Sequence, residues 1–324
     1  MDSTPLFLKP VFHRKIWGGR NLERDFGYQI PDGKIGECWA ISGHPHGVST
    51  IKNGTYAGET LDVLYRQHPE LFDHPQETKF PILTKILDAN DQLSIQVHPD
   101  DEYAKKNENS LGKTECWYVL KAKPDAYLIY GHTAKSHDEL DEMIEDGKWD
   151  KLLKRLPVKQ GDFIFTPSGT IHALTEGIEV LETQQSSDIT YRLYDYDRIG
   201  QNGKKRRLDI AKSEDVITVP FVAPHIKPQV VRDKESTVTI LVGSEDSPYF
   251  TVQKLSIKTP LTEKMRARPF LLVSVVTGSG SLVIGDYSYN VIKGDHFILP
   301  VTINKWQWLG DMTLITSWPN LGKY

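Results

Sequence analysis

The chain has 324 residues, of which 39% are hydrophobic and 25% charged, so it can bury one large core or two ordinary ones at about 100–200 residues per domain. Its 39 Lys and Arg residues are outnumbered by 43 Asp and Glu residues, which gives a net charge of −4. This balance excludes the general positive field with which proteins bind nucleic acid or anionic membranes, so we expect a small-molecule partner and neither nucleic acid nor a membrane.

The first residues, MDSTPLFLKPVFHRKIWGG, interrupt their apolar positions with prolines and basic residues. They therefore lack the roughly 7–15-residue apolar core of a secretory signal, and no later run approaches the ~20 apolar residues of a membrane span. Only two cysteines occur, Cys38 and Cys116, and one pair cannot form a disulfide framework. We expect a cytoplasmic protein with two buried thiols, and the oligomeric state is left open.

Short strands are predicted from Phe80 onward, in the runs FPILTKIL, QLSIQVHP, ECWYVLKA and DAYLIYG. Each run is rich in β-branched or aromatic residues and ends in turn-forming residues, which favours antiparallel β-structure. Residues 136–156 interrupt this pattern. Their apolar residues recur at helical spacing after a capping box at Ser136 and Glu139, so a helical segment attached to the first β unit is predicted there.

A second β unit is predicted in the last third of the chain. The basic run 202–209 is predicted to be a solvated loop, and 221–231, with two prolines, a linker. Beyond the linker the runs are again short and strand-like, with TGSGS and IGDYS as hairpin turns. The prediction is a mainly β protein of two units, residues 1–225 and residues 226–324.

One sequence frame occurs in both units, as GDFIFTPSGTIHAL and as GDHFILPVTINK. In the first copy Gly161, Pro167, Gly169 and His172 satisfy the spacing G-x5-P-x-G-x2-H, which resembles the second motif of the cupin superfamily. Glycine allows a turn with positive φ and proline stiffens it, so the histidine enters the mouth of a small barrel on the next strand. The resemblance implies two cupin-type antiparallel β-barrels, or jelly rolls.

The second copy has lost the polar residues of the first. Thr302 replaces the second glycine and Lys305 replaces the histidine, while Leu271 falls opposite Glu115. The C-terminal unit is therefore predicted to be a degenerate cupin domain without metal ligands.

Four polar residues of the first unit are candidates for one metal site. Gln96 and His98 are two apart in one predicted strand and so point to the same face. Glu115 opens the apolar run ECWYVL, where its burial without a cation would be costly. Together with His172 they offer two imidazoles, a carboxylate and an amide oxygen, which suits a divalent ion, with zinc favoured. The same set suits a non-haem iron oxygenase, and spacing does not choose between the two.

Longer blocks around these residues resemble one enzyme family. They match type I mannose-6-phosphate isomerases in order and spacing over residues from about 10 to 200, and the chain is similar to the short bacterial form, which lacks a large helical insertion. The resemblance implies a hexose phosphate substrate and one zinc ion per chain, bound by Gln96, His98, Glu115 and His172. The blocks are KPVFHRKIWGG, GECWAIS, FPILTKILDANDQLSIQVHP, GKTECWYVL, PSGTIHAL and LETQQSSDITYRLYDYDR.

The resemblance also implies roles for residues around the metal. Arg192, in ITYRLYDYDR, falls at the position to which the family assigns catalysis. Longer relatives carry a histidine where this chain has Gly112, so no mechanism that makes that histidine the acid or base can be carried over. The other matching positions are Lys113, Glu182 and Asp188 around the sugar, Lys85 and Ser94 at the phosphate, and Trp17 at the pocket wall.

The implied reaction interconverts D-mannose 6-phosphate and D-fructose 6-phosphate by moving a proton between C1 and C2 through a cis-enediol. Zinc and Arg192 would stabilise negative charge on oxygen, but Arg192 keeps its own proton and cannot be the base. The proton carrier is left open among Glu182, Lys113 and a zinc-bound water. The alternative function is a sugar-phosphate-binding cupin without catalysis.

Overall fold

Most of the regular structure is β, in a computed structural model that describes residues 4–200 and 203–320. All pairings between its strands are antiparallel. The strands are β1 (Leu6–Lys9), β2 (Val11–Gly19), β3 (Ile35–Ile41), β4 (Thr50–Ile51), β5 (Ile82–Ala89), β6 (Ile95–Val97), β7 (Glu115–Ala122), β8 (Tyr127–His132), β9 (Leu153–Pro157), β10 (Phe163–Thr166), β11 (His172–Ala173), β12 (Ile178–Gln185), β13 (Tyr191–Tyr194), β14 (Gln229–Asp233), β15 (Ser236–Val242), β16 (Phe250–Ile257), β17 (Leu261–Lys264), β18 (Phe270–Ile284), β19 (Tyr287–Ile292), β20 (His296–Pro300) and β21 (Lys305–Pro319).

Short helices connect some of these strands. None that lies within the described ranges is long and apolar enough to cross a membrane. The helices are α1 (Asn21–Phe26), α2 (Leu61–Gln67), α3 (Asp101–Glu108), α4 (His137–Glu145), α5 (Trp149–Leu152) and α6 (Ile210–Val216), with a 3₁₀ turn at Pro69–Leu71.

Two sheets form the first unit. One has the strand order β10-β7-β12-β5-β3-β2, and the other has the order β13-β6-β11-β8-β9. Aromatic side chains of the two sheets meet at Trp117 of β7 and His172 of β11, whose ring centroids are 5.3 Å apart. The mainly β prediction is confirmed. Both sheets have free edge strands in this order, so the predicted closed barrels are not confirmed.

A third sheet contains the strands of the C-terminal unit and two strands from the start of the chain. Its order is β14-β15-β16-β21-β18-β20-β1-β4, with β17 and β19 paired to β21 and β18. The N-terminal strand enters through the pairing of Leu6 with Ile298. One sheet therefore contains strands from both predicted units, and the division of the chain into two domains at residues 225 and 226 stays a prediction.

The helical segment begins as predicted and ends earlier. The side chain of Ser136 accepts a hydrogen bond from the backbone N–H of Glu139, which caps α4. The helix stops at Glu145 because Gly147 takes a left-handed conformation, with φ of 62°. After the single turn of α5, residues 153–157 form β9 and pair with β8. The prediction of one helical segment over 136–156 is wrong for its last part.

The two glycine turns predicted in the second unit differ in outcome. Gly285 lies between β18 and β19, which pair as a hairpin. The stretch TGSGS, in contrast, lies inside β18, where the pairing register with β21 shifts between Val275 and Thr277. A glycine in a strand also marks a bulge or a close backbone approach. At Gly278 an added Cβ would lie 2.0 Å from the carbonyl oxygen of Asp311, so the close approach explains the glycine.

Candidate active site

Three side chains from the two facing sheets meet in one buried cluster. His98 directly follows β6, Glu115 opens β7 and His172 opens β11. The Nε2 atoms of the two histidines are 3.2 Å apart. They lie 3.4 Å and 3.3 Å from the two carboxylate oxygens of Glu115. All three side chains are buried, in surroundings where an uncompensated charge is costly.

The spacing of these donor atoms fits a tetrahedral metal ion. Zinc binds nitrogen and oxygen at about 2.0–2.1 Å, which places neighbouring ligand atoms roughly 3.3 Å apart at tetrahedral angles. The two Nε2 atoms are 3.2 Å apart, and each lies at a similar distance from one oxygen of Glu115, 3.4 Å to Oε2 for His98 and 3.3 Å to Oε1 for His172. In addition, Nδ1 of His172 donates to the carbonyl oxygen of Thr170 at 2.8 Å. That bond fixes the tautomer whose Nε2 lone pair faces the cluster. The three residues therefore fit a divalent metal.

Gln96 lies beside the cluster on the neighbouring strand. It is paired directly with His172 on one side and with Arg192 on the other, so the three side chains point to the same face of the sheet. The carboxamide nitrogen of Gln96 is 3.3 Å from Nε2 of His172. A half-turn of the carboxamide exchanges this nitrogen for its oxygen. Gln96 can therefore supply a fourth ligand atom.

Lys113 contributes a positive charge to the same cluster. Its Nζ atom lies 2.6 Å from Oε2 of Glu115 and 2.8 Å from Nε2 of His98. Burial alone raises the pKa of Glu115, but Lys113 and the two histidines outweigh it and hold this pKa well below its usual range. Burial, followed by the charge of Lys113, lowers the pKa of His98 to about 3. Glu115 is thus ionised and His98 neutral at pH 7, the states in which both bind metals.

A second buried network lies on the six-stranded sheet, where Lys85, Glu182 and Trp117 form one row across β5, β12 and β7. Nζ of Lys85 is 2.9 Å from Oε1 of Glu182, and the indole N–H of Trp117 donates to Oε2 at 2.7 Å. Burial alone would lower the pKa of Lys85, but Glu182 and Glu37 raise it above its usual value. Burial and the charge of Glu115 raise the pKa of Glu182.

Arg192 lies on β13, where it is paired with Gln96 of β6. One of its terminal nitrogens, Nη1, donates to the carbonyl oxygen of Arg207 at 3.0 Å. Its buried Nε has no hydrogen-bond partner among the described residues. The nearby Asp195 binds Arg198 and Arg206 instead. The guanidinium of Arg192 thus retains a donor that no described protein group uses.

Two further predicted residues, Ser94 and Trp17, are buried in the first unit. Ser94 directly precedes β6 and is two residues from Gln96, so alternation along the chain directs both to one face. Trp17 lies in β2 and belongs to the same apolar cluster as Trp117. The structure therefore brings both predicted residues to the interior of the first unit.

Asp188 is partly exposed and contacts two histidines that the sequence analysis missed. Its Oδ2 atom is 2.5 Å from Nδ1 of His46, and its Oδ1 atom is 3.6 Å from Nε2 of His44. The sequence analysis also assigned no role to Glu37, whose carboxylate accepts a hydrogen bond from the indole N–H of Trp39 at 2.7 Å. The sequence did contain a signal for Glu37, because this acidic residue precedes Cys and Trp in an apolar run, as Glu115 does.

Fold and site together define a β-sheet protein with a buried His–Glu–His centre that fits a metal ion. Comparison with known families gives two matches, "Phosphomannose isomerase type I, catalytic domain" over residues 6–138 and "Mannose-6-phosphate isomerase, cupin domain" over residues 240–319. The chain belongs to the type I phosphomannose isomerase family, as the sequence motifs predicted.

Similar proteins cover the whole chain. A mannose-6-phosphate isomerase from Streptococcus mutans is 52% identical over 318 residues, which are 98% of this chain and 99% of that protein. The crystal structure of the Bacillus subtilis mannose 6-phosphate isomerase superposes with a TM-score of 0.93 at 48% identity, covering 97% of this chain and 99% of that one. The predicted enzyme class, a mannose-6-phosphate isomerase, is confirmed.

A more distant relative shares the fold alone. A mutant phosphomannose isomerase from Salmonella typhimurium is 15% identical and superposes with a TM-score of 0.78, covering 99% of this chain and 100% of that chain. The arrangement of strands is thus retained at an identity where few side chains agree.

Proposed function

We propose that the chain interconverts D-mannose 6-phosphate and D-fructose 6-phosphate through a cis-enediol, with one zinc ion per chain. The observation that carries the proposal is the buried cluster of donor atoms on His98, Glu115 and His172, in a chain of this family. Gln96 would complete the ligand set. When bound, the ion polarises the oxygens on C1 and C2 of the open-chain sugar.

Arg192 is proposed to stabilise the negative charge that develops on oxygen in the enediolate. It shares a cross-strand row with Gln96, and its buried Nε is unused by the described residues. A fixed donor aimed at developing charge in a dry site contributes several kcal/mol to the rate. Because a guanidinium keeps its proton at any relevant pH, Arg192 supplies charge and hydrogen bonds and does not act as the base.

Glu182 and Lys113 are proposed to move the proton. Burial and the charge of Glu115 raise the pKa of Glu182, which makes its carboxylate a stronger base. Lys113 places an ammonium 2.6 Å from Glu115, where it can donate a proton to a sugar oxygen. Solvent deuterium distinguishes their roles. If Glu182 takes the proton from carbon, Glu182→Gln stops deuterium entering C1 and C2, whereas Lys113→Met slows turnover but permits exchange.

The phosphate is proposed to bind at Lys85 and Ser94, with Trp17 as the pocket wall and Asp188 contacting the sugar. Support comes from the ammonium of Lys85, which keeps its proton because Glu182 and Glu37 raise its pKa. Ser94 is buried near Gln96, so a phosphate there would lie close to the proposed metal. The cytoplasmic location stays a prediction.

A coupled assay of the purified enzyme, combined with elemental analysis, tests the proposal. We expect turnover of both sugar phosphates and one zinc per chain. His98→Ala and His172→Ala should each release the metal and abolish turnover, because each removes one ligand of a tetrahedral site. The matched control is His132→Ala, since His132 is buried but hydrogen-bonds to the carbonyl oxygen of Thr218. Full zinc in either ligand variant would refute the ligand set, and activity that needs iron and oxygen would favour an oxygenase.

A further inference from the structure

We propose that Gln185 and Asp101 are positioning residues, whose hydrogen bonds hold the backbone that carries Lys113, and that Tyr249 links them to the C-terminal unit. This inference rests on the proposed function, since it concerns the site of the same isomerisation. It gives the C-terminal unit, which has lost the residues of the cupin motif at Thr302 and Lys305, a part in the activity of the first unit.

The backbone around Lys113 lies just before β7, where both backbone and side-chain hydrogen bonds hold it. Glu115 is the first residue of β7 and is paired with Thr166 on one side and Gln184 on the other. Lys113 precedes that strand, and its own backbone N–H donates to the carbonyl oxygen of Pro99 at 3.0 Å. Pairing on both sides fixes the backbone of Glu115, whereas the segment with Lys113 has fewer backbone bonds, among them the one from the amide of Gln185 to the carbonyl oxygen of Thr114 at 3.1 Å.

Gln185 and Asp101 provide that support on both sides of Lys113. Oε1 of Gln185 accepts from the backbone N–H of Thr114 at 2.9 Å. Its Nε2 donates to Oδ1 of Asp101, also at 2.9 Å. The same Oδ1 accepts from the backbone N–H of Gly112 at 2.7 Å. Two side chains thus bind the amides immediately before and after Lys113. Gln185 is completely buried, so water does not compete for its bond to the amide of Thr114.

Gly112 shows how closely this segment packs on Asp101. A Cβ added at Gly112 would lie 2.5 Å from the carbonyl carbon of Asp100 and 2.6 Å from the backbone nitrogen of Asp101. Any larger side chain would push the segment away from Asp101 and break the bond from the Gly112 amide. Glycine is therefore required at 112 by the contact that positions Lys113.

Tyr249 extends the network into the C-terminal unit. It directly precedes β16, a strand of the third sheet, and Asp101 is close enough to its hydroxyl to affect the pKa of that group. Burial, then the charge of Asp101, raises the pKa of Tyr249 to about 12. The phenol thus keeps its proton at neutral pH and can donate it to that carboxylate. Asp101 therefore lies between Tyr249 of the C-terminal unit and the amide of Gly112, the residue before Lys113.

Three variants test the network. Gln185→Met keeps the buried volume and removes both side-chain hydrogen bonds. Tyr249→Phe removes one hydroxyl from the far end of the network. Tyr287→Phe is the control, because Tyr287 lies in the same sheet and is 71% exposed. Each zinc-loaded protein is assayed for kcat and KM on mannose 6-phosphate, zinc per chain, and hydrogen exchange of the peptide that spans residues 109–116.

We expect Gln185→Met to lower kcat by up to about 10²-fold, the loss typical of a misplaced reacting group, with a smaller change in KM. Tyr249→Phe should lower kcat less. In both variants zinc stays at one per chain because Glu115 remains in its strand, and the amides of Gly112 and Thr114 exchange faster. The control should match the wild type.

Two results would overturn the network. One is a loss of zinc in proportion to the loss of kcat, which would assign Gln185 to the metal site. The other is wild-type kcat in both variants despite faster exchange, which would show that the network does not position Lys113. If Gln185→Met fails to fold, the same measurements are made on Asp101→Asn together with Tyr249→Phe, and the same two results would overturn the network. If the wild-type enzyme itself shows no turnover, the proposed function is contradicted, not the network alone.

Discussion

The Nζ atom of Lys113 lies 2.6 Å from Oε2 of Glu115, and both side chains are buried. A buried carboxylate needs a compensating cation, and breaking such a pair on one side typically costs about 3–5 kcal/mol. A divalent ion at the same carboxylate would compensate the charge as well as the ammonium does. Lys113 therefore stabilises the metal-free fold more than the metal-loaded fold.

Lys113→Met tests this difference. Without metal, the variant should be about 3–5 kcal/mol less stable to urea than the wild type, and zinc should recover most of the loss. The control is Lys121→Met, which breaks a pair of the same length, Lys121 with Asp25 at 2.6 Å, but at a half-exposed site. Such pairs contribute roughly 0–1 kcal/mol. Equal losses with and without zinc would contradict the role given to the ammonium.

Arg192 should affect the rate and leave the metal in place. Its side chain shares a row with Gln96, but a protonated guanidinium has no lone pair with which to bind a metal ion. Arg192→Met should therefore keep one zinc per chain while lowering kcat about 10²–10³-fold, the loss expected for one donor to developing charge. Arg155→Met, at an exposed arginine, is the control. A fall in zinc content would mean that Arg192 supports the metal site and not the transition state.

His296 should make stability depend on pH. It is buried in the C-terminal unit, between the hydroxyls of Ser274 at 2.8 Å and Tyr28 at 2.9 Å. Burial, with a smaller effect of Lys52, lowers the pKa of His296 from 6.5 to about 3. As pH falls below 6.5, the unfolded chain gains a proton that the folded chain does not take up. Stability is therefore lost from about pH 6.5 down to about pH 3.

From pH 7.5 to pH 5, His296 alone should lower the free energy of unfolding by about 2 kcal/mol. The measurement is urea unfolding of the wild type and of His296→Gln, whose amide can still pair with both hydroxyls. All other histidines contribute equally to both proteins, so the gap between the two stability curves isolates His296. Parallel curves over this range would contradict the prediction.

The sequence was informative where local geometry decides the structure. The spacing of Gly161, Pro167, Gly169 and His172 predicted a turn with positive φ, and both glycines adopt one, with φ of 90° and 82°. Alternation placed Gln96 and His98 on one face, and the structure brings His98 together with Glu115 and His172. Such patterns depend on neighbours within a few residues, which a single sequence contains.

Contacts between distant segments could not be predicted in this way. His46 and Asp188 are 142 residues apart, and a single sequence does not show that they meet. The same holds for Gln185, whose partner Asp101 is 84 residues away. For TGSGS the composition allowed a hairpin turn or a strand in close contact with its neighbour. The position of β21 decides between the two, because it places the backbone of Asp311 in close contact with Gly278.

Gly278→Ala tests that reason for the glycine. The residue has φ of 73°, and an added Cβ would lie 2.0 Å from the carbonyl oxygen of Asp311, which is backbone and cannot rotate away. Gly285→Ala is the matched control, since φ there is 57° and no atom lies within 4 Å of the added Cβ. Left-handed backbone costs both variants roughly 1–2 kcal/mol. Overpacking should cost Gly278→Ala about 1–3 kcal/mol more. Urea unfolding of the two variants measures the difference, and equal losses would mean that backbone conformation alone, without the close approach of β21, selects glycine at 278.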